Sequence, residues 1–484
     1  MSTFPTESVP VLACDEARAI EDRLFGGDET REWPAMQRAG RAIAAAVQRD
    51  FLEIGGLPGA PRVLVLSGKG HNGGDALIAA SALREVHPNL RVEVLFAFGE
   101  RALRPLAQRA WRELAQAGGT HVSAPTGHYD LCLDGVFGFQ FRPPLESHVA
   151  ELIATVNELP IRLRAAVDLP SANVFHADFT YATGCVKMPI VDAPQAGRVR
   201  YLALGFFDGN EPGAERVLTR DVLAPLTALR PAQGDKRTYG HVFIIAGSRN
   251  FPGAALMTVR AALRSGVGLV TAFVPESLVA AFASVAPEAM WVSWPETPGG
   301  GLALEGRQLL SEKLPRATAL VIGPGLGREK ETLALAGEIV RSATVPLVID
   351  ADALQPEIVR AGDAPRVLTP HAGEFARIDG ALPKNVVLVR KGPVTRIVRD
   401  GVSYHSFFGG PVLARGGSGD LLAGLIGGLL AQTPGEPLLA AARGVVWHGL
   451  AADALARAHG QVAVQTTQLL DFLPVVLREL VNEQ

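Results

Sequence analysis

Cysteine is scarce in this sequence: its 484 residues hold three, Cys14, Cys132 and Cys185, far apart and with no CxxC pair. That spacing excludes a disulfide framework and a thiolate zinc site, and it suits a reducing cytoplasm. An excess of basic charge is also missing. The formal net charge of −3 gives no support to a nucleic-acid or membrane-surface partner. The longest apolar run, Leu421 to Ala431, falls well short of the ~20 residues that a membrane helix requires. The first eight residues carry neither a basic nor an apolar segment, so no secretory signal is expected. Solenoid-period repeats and low-complexity tracts are absent as well. What is there is a globular composition, 48% hydrophobic and 20% charged, able to build sizeable cores in two or three domains.

Short β-rich runs alternate with helical stretches, the pattern of a parallel sheet covered by helices, so the fold class is α/β. In the first half, strands are predicted over Arg62–Ser67, Arg91–Phe96, Tyr129–Leu133 and Ala165–Leu169, with a helix from Asp75 to Leu83. In the second half they fall at His241–Ala246, Gly268–Val274, Ala319–Ile322, Pro346–Ile349 and Val386–Val389. Several end at Gly, Asp or Pro, and ligands gather at such carboxyl ends. Breaker-rich segments at Asp208–Gly213 and Arg230–Arg237 flank an ordered connector, Val217 to Leu229, and divide the chain into 1–215 and 216–484. Gly299 to Gly301 reads as a surface loop.

Ser67-Gly-Lys-Gly-His-Asn-Gly-Gly-Asp75 follows a strand and opens a helix. It contains GxGxxG, which alone is a weak dinucleotide signal, and Glu93 sits inside the second strand rather than at its tip, where a ribose-binding acid belongs. Asp134 and Asp168, the latter with Ser171 close behind, also stand at strand ends. One such acid is commonly a helix cap; three on one sheet edge, Asp75 included, favour a pocket with oxygen ligands.

In the second half, Arg415-Gly-Gly-Ser-Gly-Asp420 leads into the helical run Leu421 to Leu430. Glycines at a helix N-terminus bare backbone N–H groups to a polyphosphate, beside which Asp420 is a candidate base; an ordinary N-cap is the alternative. Gly323-Pro-Gly-Leu-Gly327 is a second loop suited to close backbone approach, or a plain turn. His371 and Glu374 lack a third ligand for a metal and read as a polar contact. Asp350 and Asp352 stand at a strand end without an assigned role.

These motifs carry a resemblance. Residues 9–207 resemble the YjeF-related N-terminal domain family, the NAD(P)H-hydrate epimerases. The family's GNGxNGGD stands here as GKGHNGGD, its DAxFG as Asp134-Gly-Val-Phe-Gly138 and its VDxPSG as Val167-Asp-Leu-Pro-Ser-Ala172. Its ADxT…K element matches Ala177 to Thr180 with Lys187, and a helix with Ala39-Gly40 near its middle also fits. Residues from about 230 to 480 are similar to the ADP/ATP-dependent NAD(P)H-hydrate dehydratases of the ribokinase-like superfamily. Nine motifs occur in family order, among them Ile322-Gly-Pro-Gly-Leu-Gly327, Thr369-Pro-His-Ala-Gly-Glu374, Arg390-Lys-Gly392 and Gly417-Ser-Gly-Asp420.

The resemblance implies two domains, an N-terminal Rossmann-like three-layer sandwich and a C-terminal ribokinase-like α/β/α sandwich. It further implies that the first epimerises the R and S hydrates and the second dehydrates the S form to NADH or NADPH at the expense of ADP or ATP. Asn72, Asp134 and Ser171 would hold K+. His71, Asn72, Gly73, Gly74, Asp75, Gly138, Phe139, Gln140, Phe141, Arg142 and Asp168 would contact the hydrate, with Asp168 the acid–base carboxylate. In the second domain Ala255, Gly325, His371 and Asp420 would contact the hydrate. Lys391, Gly392, Pro393, Val394, Thr395 and Gly419 would contact the nucleotide, with Mg2+ bridging its phosphates and Asp420 as the base. A homo-oligomer in the cytoplasm is expected. Lys69 and Ala172 depart from the family's Asn and Gly, and the segment Ala172 to Ala177 is short. They support an alternative in which the first domain is a silent binding or assembly module. A small-molecule kinase fused to a dehydrogenase is a third reading.

Overall fold

The computed structural model describes residues 7–209, 211–380 and 382–482. The chain forms two compact units, one built on Val9–Val217 and the other on Leu218–Leu455.

The central sheet of the first unit has seven strands, all parallel where paired. In spatial order they are Thr120–His121, Arg91–Phe96, Arg62–Ser67, Tyr129–Gly135, Ile161–Val167, Phe179–Thr183 and Arg198–Leu202. Alternate residues of one strand serve opposite faces: Val63 and Val65 join a core with Ile43, Phe51 and Leu77, whereas Leu64 and Leu66 join Tyr129, Val149 and Ile153. Helices cover both faces, which gives three layers. Arg62–Ser67 pairs with a strand later in sequence on each side, so the order reverses at its carboxyl end. Ligands bind at such switch points.

The second unit holds nine strands. Seven run parallel, in the order Met290–Trp294, Leu269–Pro275, His241–Ile245, Ala319–Ile322, Leu347–Ile349, Arg366–Leu368 and Val386–Arg390, and a meander of Thr395–Arg399 and Val402–Ser406 follows. Here the order reverses between His241–Ile245 and Ala319–Ile322. The helices Pro252–Arg264 and Ser418–Gln432 pack together at a glycine: a Cβ on Gly424 would lie 2.1 Å from the Thr258 carbonyl oxygen.

Several boundaries differ from the expectation. Two helices begin earlier than predicted, at His71 and at Ser418, because Gly73-Gly74 and Gly419 are wound into their first turns. The strand before Asp168 ends at Val167 and leaves Asp168 in left-handed backbone, φ 68°. The connector resolves into a strand, Glu215–Leu218, and a 3-10 segment, Arg220–Thr227. Gly300 and Gly301 are buried rather than on the surface, in a turn pinned by a bond from the Gly301 N–H to Thr297 Oγ1 at 2.9 Å.

Candidate active sites

At the switch point of the first unit the loop after Arg62–Ser67 passes so close to the next strand that side chains are excluded. A Cβ on Gly68 would lie 1.9 Å from the Val136 oxygen, and one on Gly73 would lie 2.5 Å from the Gly68 oxygen. The helix His71–Val86 starts there. A cavity of about 470 Å3 opens above it, lined by His71, Asn72, Gly73, Asp75, Asp168 and the segment Gly138–Arg142, all expected at the hydrate site. Gly74 does not line it; a Cβ there would meet Met36 Cε at 2.3 Å. Arg142 is exposed and partly engaged, 3.3 Å from Asp15. Lys69, the departure from the family's Asn, lines the cavity with its ammonium 3.9 Å from the Phe98 ring centroid.

Beneath the cavity, Asp134 accepts from the Ser171 hydroxyl at 2.6 Å, the Ser171 N–H at 2.8 Å and the Val136 N–H at 3.3 Å. Burial pushes its carboxyl up to about 6 against those donors. The Asn72 amide donates to the carbonyls of Val167 (3.0 Å) and Phe137 (3.4 Å), and Gly138 leaves it room, since a Cβ there would meet Asn72 Oδ1 at 2.6 Å. Asn72, Asp134 and Ser171 thus converge through one loop.

Asp168 is buried in an ion pair with the buried Lys187. Burial raises the Asp168 carboxyl while the Lys187 ammonium opposes the shift. Asp75 is also buried but has no counter-ion, and its Oδ1 has no hydrogen-bond partner. Burial, then the charges of Asp168 and Glu21, push it well above the carboxylate range. Glu21, from the helix Cys14–Phe25, lines the same cavity and is pushed up to about 7, chiefly by burial, with Lys187 opposing. Glu21 escaped the sequence reading, and Lys187 was matched there without a role. Glu93 is occupied elsewhere: it pairs with Arg62 at 2.7 Å and accepts from the Tyr129 hydroxyl at 2.5 Å, so it is no ribose ligand.

In the second unit, Gly323 (φ 124°) and Gly325 (φ 63°) take backbone that only glycine adopts without strain. Added Cβ atoms would meet the Asp350 oxygen at 1.8 Å and Ala254 Cβ at 2.7 Å. The Ser248 hydroxyl donates to the Gly325 carbonyl at 2.8 Å, and the Gly327 N–H to Asp352 at 3.0 Å, which gives Asp352 a structural task. Ala255 is fully buried against Gly247. His371 caps the helix Ala372–Ile378: its Nδ1 accepts from the Gly373 N–H at 3.0 Å, while Glu374 accepts from the His371 N–H at 2.9 Å. The pair is a capping box rather than a metal site.

Lys391 begins the hairpin turn that carries Gly392, Pro393 and Val394 into the strand starting at Thr395. Its ammonium lies 3.0 Å from Asp350 Oδ1, which also accepts from the Thr369 hydroxyl at 2.7 Å. Gly419 lets it in: a Cβ there would be 3.2 Å from Lys391 Nζ. Asp420, in the first turn of Ser418–Gln432, is pushed up to about 7 by burial, then by Asp350, with Lys391 opposing. His448 is buried nearby with an unpartnered Nε2, and burial and Lys391 hold it down at about 4. Sequence reasoning gave no role to Asp350 or His448. The run Ile349-Asp-Ala-Asp-Ala signalled Asp350, and nothing signalled His448.

Residues 34–188 match the family described as YjeF-related protein N-terminus, and residues 242–475 the family NAD(P)H-hydrate dehydratase. The bifunctional NAD(P)H-hydrate repair enzyme Nnr of Moorella thermoacetica is 33% identical over 93% of both chains. That of Gloeobacter violaceus is 35% identical over 96% of this chain and 97% of its own. A Bacillus subtilis ADP/ATP-dependent NAD(P)H-hydrate dehydratase, co-crystallised with ATP and Mg2+, is 30% identical with a TM-score of 0.47, covering 54% of this chain and 98% of its own. The chain therefore belongs to the bifunctional NAD(P)H-hydrate repair enzymes, with an epimerase domain followed by a dehydratase domain.

Proposed function

We propose that the two activities are carried by Asp168 with Lys187 in the first unit and by Asp420 with Lys391 in the second. The single observation that carries the dehydratase assignment is the place of Asp420, in the first turn of a helix entered through a glycine loop and beside Lys391 and Asp350, where burial pushes its carboxyl up to about 7. A base poised near neutrality takes the proton of the hydrate's hydroxyl, which becomes the nucleophile toward the terminal phosphate of ADP or ATP. The N–H groups of Gly419 and Asp420 in that first turn, with Lys391, face the charge on the transferring group. Phosphate, a far better leaving group than hydroxide, then departs and the ring regains its double bond. Gly325 and His371 border the hydrate, and Lys391 to Thr395 with Gly419 border the nucleotide. Mg2+, when bound, supplies charge neutralisation between phosphates. Among the described residues no three His, Cys, Asp or Glu side chains gather as a metal site. That suits an ion held mainly by phosphate oxygens and water.

In the first unit, Asn72, Asp134 and Ser171 converge through one loop, and their side-chain oxygens would hold K+. Such an ion supplies positive charge and rigidity under the cavity. Asp168 moves the proton during inversion, and Lys187 keeps it ionised between turnovers. A reducing, cytoplasmic setting fits Cys132 and Cys185, both buried and unpaired, and self-association is expected.

The test is recovery of reduced-nicotinamide absorbance from NADH hydrate and ADP or ATP. Asp420→Asn should abolish most of it while retaining nucleotide binding; near-normal turnover would reject the assignment.

A further inference from the structure

Epimerisation of a nicotinamide hydrate has a chemistry that one carboxyl alone does not complete. Water adds to an enamine double bond so that the hydroxyl sits on the carbon next to the ring nitrogen. When inversion runs through loss and return of that hydroxyl, an acid serves the departing group and a base serves the water that returns. The cavity holds two buried carboxyls in unlike surroundings. Asp168 has a counter-ion, Lys187, whereas Asp75 has none and one of its oxygens lacks any partner. Both line the same space.

We propose that Asp75 is a second catalytic residue of the epimerase, the acid that protonates the leaving hydroxyl, while Asp168 accepts the proton of the incoming water and Glu21 restores the proton of Asp75. This rests on the reading of Asp168 given above. In the step, the C–O bond breaks with its electron pair, the Asp75 proton makes the leaving group water, and the nitrogen lone pair forms an iminium. Water adds to the opposite face, its proton passes to Asp168, and the nitrogen regains its pair. One proton has moved from Asp75 to Asp168, and exchange with solvent resets both.

The groups facing Asp75 favour this division. Asp168 follows the strand Ile161–Val167, Glu21 comes from Cys14–Phe25 and Lys187 from Val186–Lys187. Two of these three are acids that keep Asp75 protonated, as burial does. Glu21 is only partly buried, is itself faced by Asp22 and Glu32, and so connects the cavity to solvent. Paired titratable groups whose surroundings push them apart are the usual mark of an acid and a base.

The full chain, given NADH hydrate in oxygen-18 water, should place label in the hydrate hydroxyl at the rate of epimer interconversion, above the spontaneous background. Interconversion without label would overturn the mechanism. Asp75→Asn should lower epimerisation by about 100-fold or more, with hydrate KM within a few-fold and dehydratase turnover of the S epimer unchanged. Asp75→Glu should recover part of the rate. Glu21→Gln should slow turnover by about tenfold and remove the inflection near pH 7. If Asp75→Asn keeps more than about a tenth of the rate while Asp168→Asn is inactive, Asp75 is not the acid and the Asp168 reading stands. If Asp168→Asn is also active, that reading fails with it.

Discussion

Ala172 adopts φ 51° and ψ 16°, left-handed backbone that a Cβ disfavours by ~1 kcal/mol or more. The family has glycine at this place, so Ala172→Gly should stabilise the chain by about 0.5 kcal/mol, the relieved strain less the extra freedom of the unfolded glycine. Urea denaturation measures it, and epimerisation should not suffer. Asp420 makes the opposite bargain. Its carboxyl is raised from an ordinary 3.8 to about 7, so the folded state holds a proton that the unfolded chain releases. Stability is then lost as pH rises from about 4 to 7 and is flat above. Asp420→Asn should therefore lose dehydratase turnover by ~10² to 10⁴ yet gain Tm over the parent, increasingly across that window. Wild-type kcat should climb through pH 7 and level off, because the base works ionised. Asp134, Asp168 and Asp420 were legible in sequence because each follows a strand or opens a helix beside glycine. Asp350 carries the same strand-end mark but was given no role, whereas Lys187, Glu21 and His448 share no such local mark. Glu21 and Lys187 lie in a helix and a two-residue strand remote in sequence from Asp75, and only the fold makes them its neighbours.

Most of the predicted strands were legible to within two residues, since Val, Ile and Leu runs buried on both faces leave little ambiguity. Ile161–Val167, however, begins well before its predicted start, and Phe179–Thr183, Arg198–Leu202, Met290–Trp294 and Arg366–Leu368 went unread. Helix starts were not legible. Glycine costs about 1 kcal/mol in a helix, so Gly73-Gly74 and Gly417-Ser-Gly419 look like turns. Close packing overrides that propensity: Gly73 lies against Gly68, and Gly419 admits Lys391. The same logic makes Gly424 a point of close approach between the helices Pro252–Arg264 and Ser418–Gln432. Gly424→Ala forces a methyl group onto the Thr258 carbonyl, so the helices carrying Ala255 and Asp420 must part. Overpacking of this kind costs ~1 to 3 kcal/mol. Thermal unfolding should show a Tm lower by several degrees, with dehydratase activity falling faster than fluorescence reports unfolding.

At the scale of the whole molecule, sequence indicated two α/β halves but could not order their strands, because strand order depends on crossovers between segments far apart in the chain. Family membership sets aside both the kinase–dehydrogenase reading and the silent first domain. A mixture of hydrate epimers tests the division of labour. The intact chain with ADP should convert the whole mixture to NADH, and Asp168→Ala should convert about half quickly and then slow to the spontaneous rate. One feature of the second unit also sets a clock. Residues Leu421 to Ala431 of the helix Ser418–Gln432 are buried all round. Their amide hydrogens should exchange with deuterium only through opening of the entire unit, whereas the exposed turn at Gly392 and Pro393 should open locally. The proposed base is thus fastened to the slowest-opening part of the unit, and the proposed nucleotide contacts at the hairpin tip should open on a far shorter timescale.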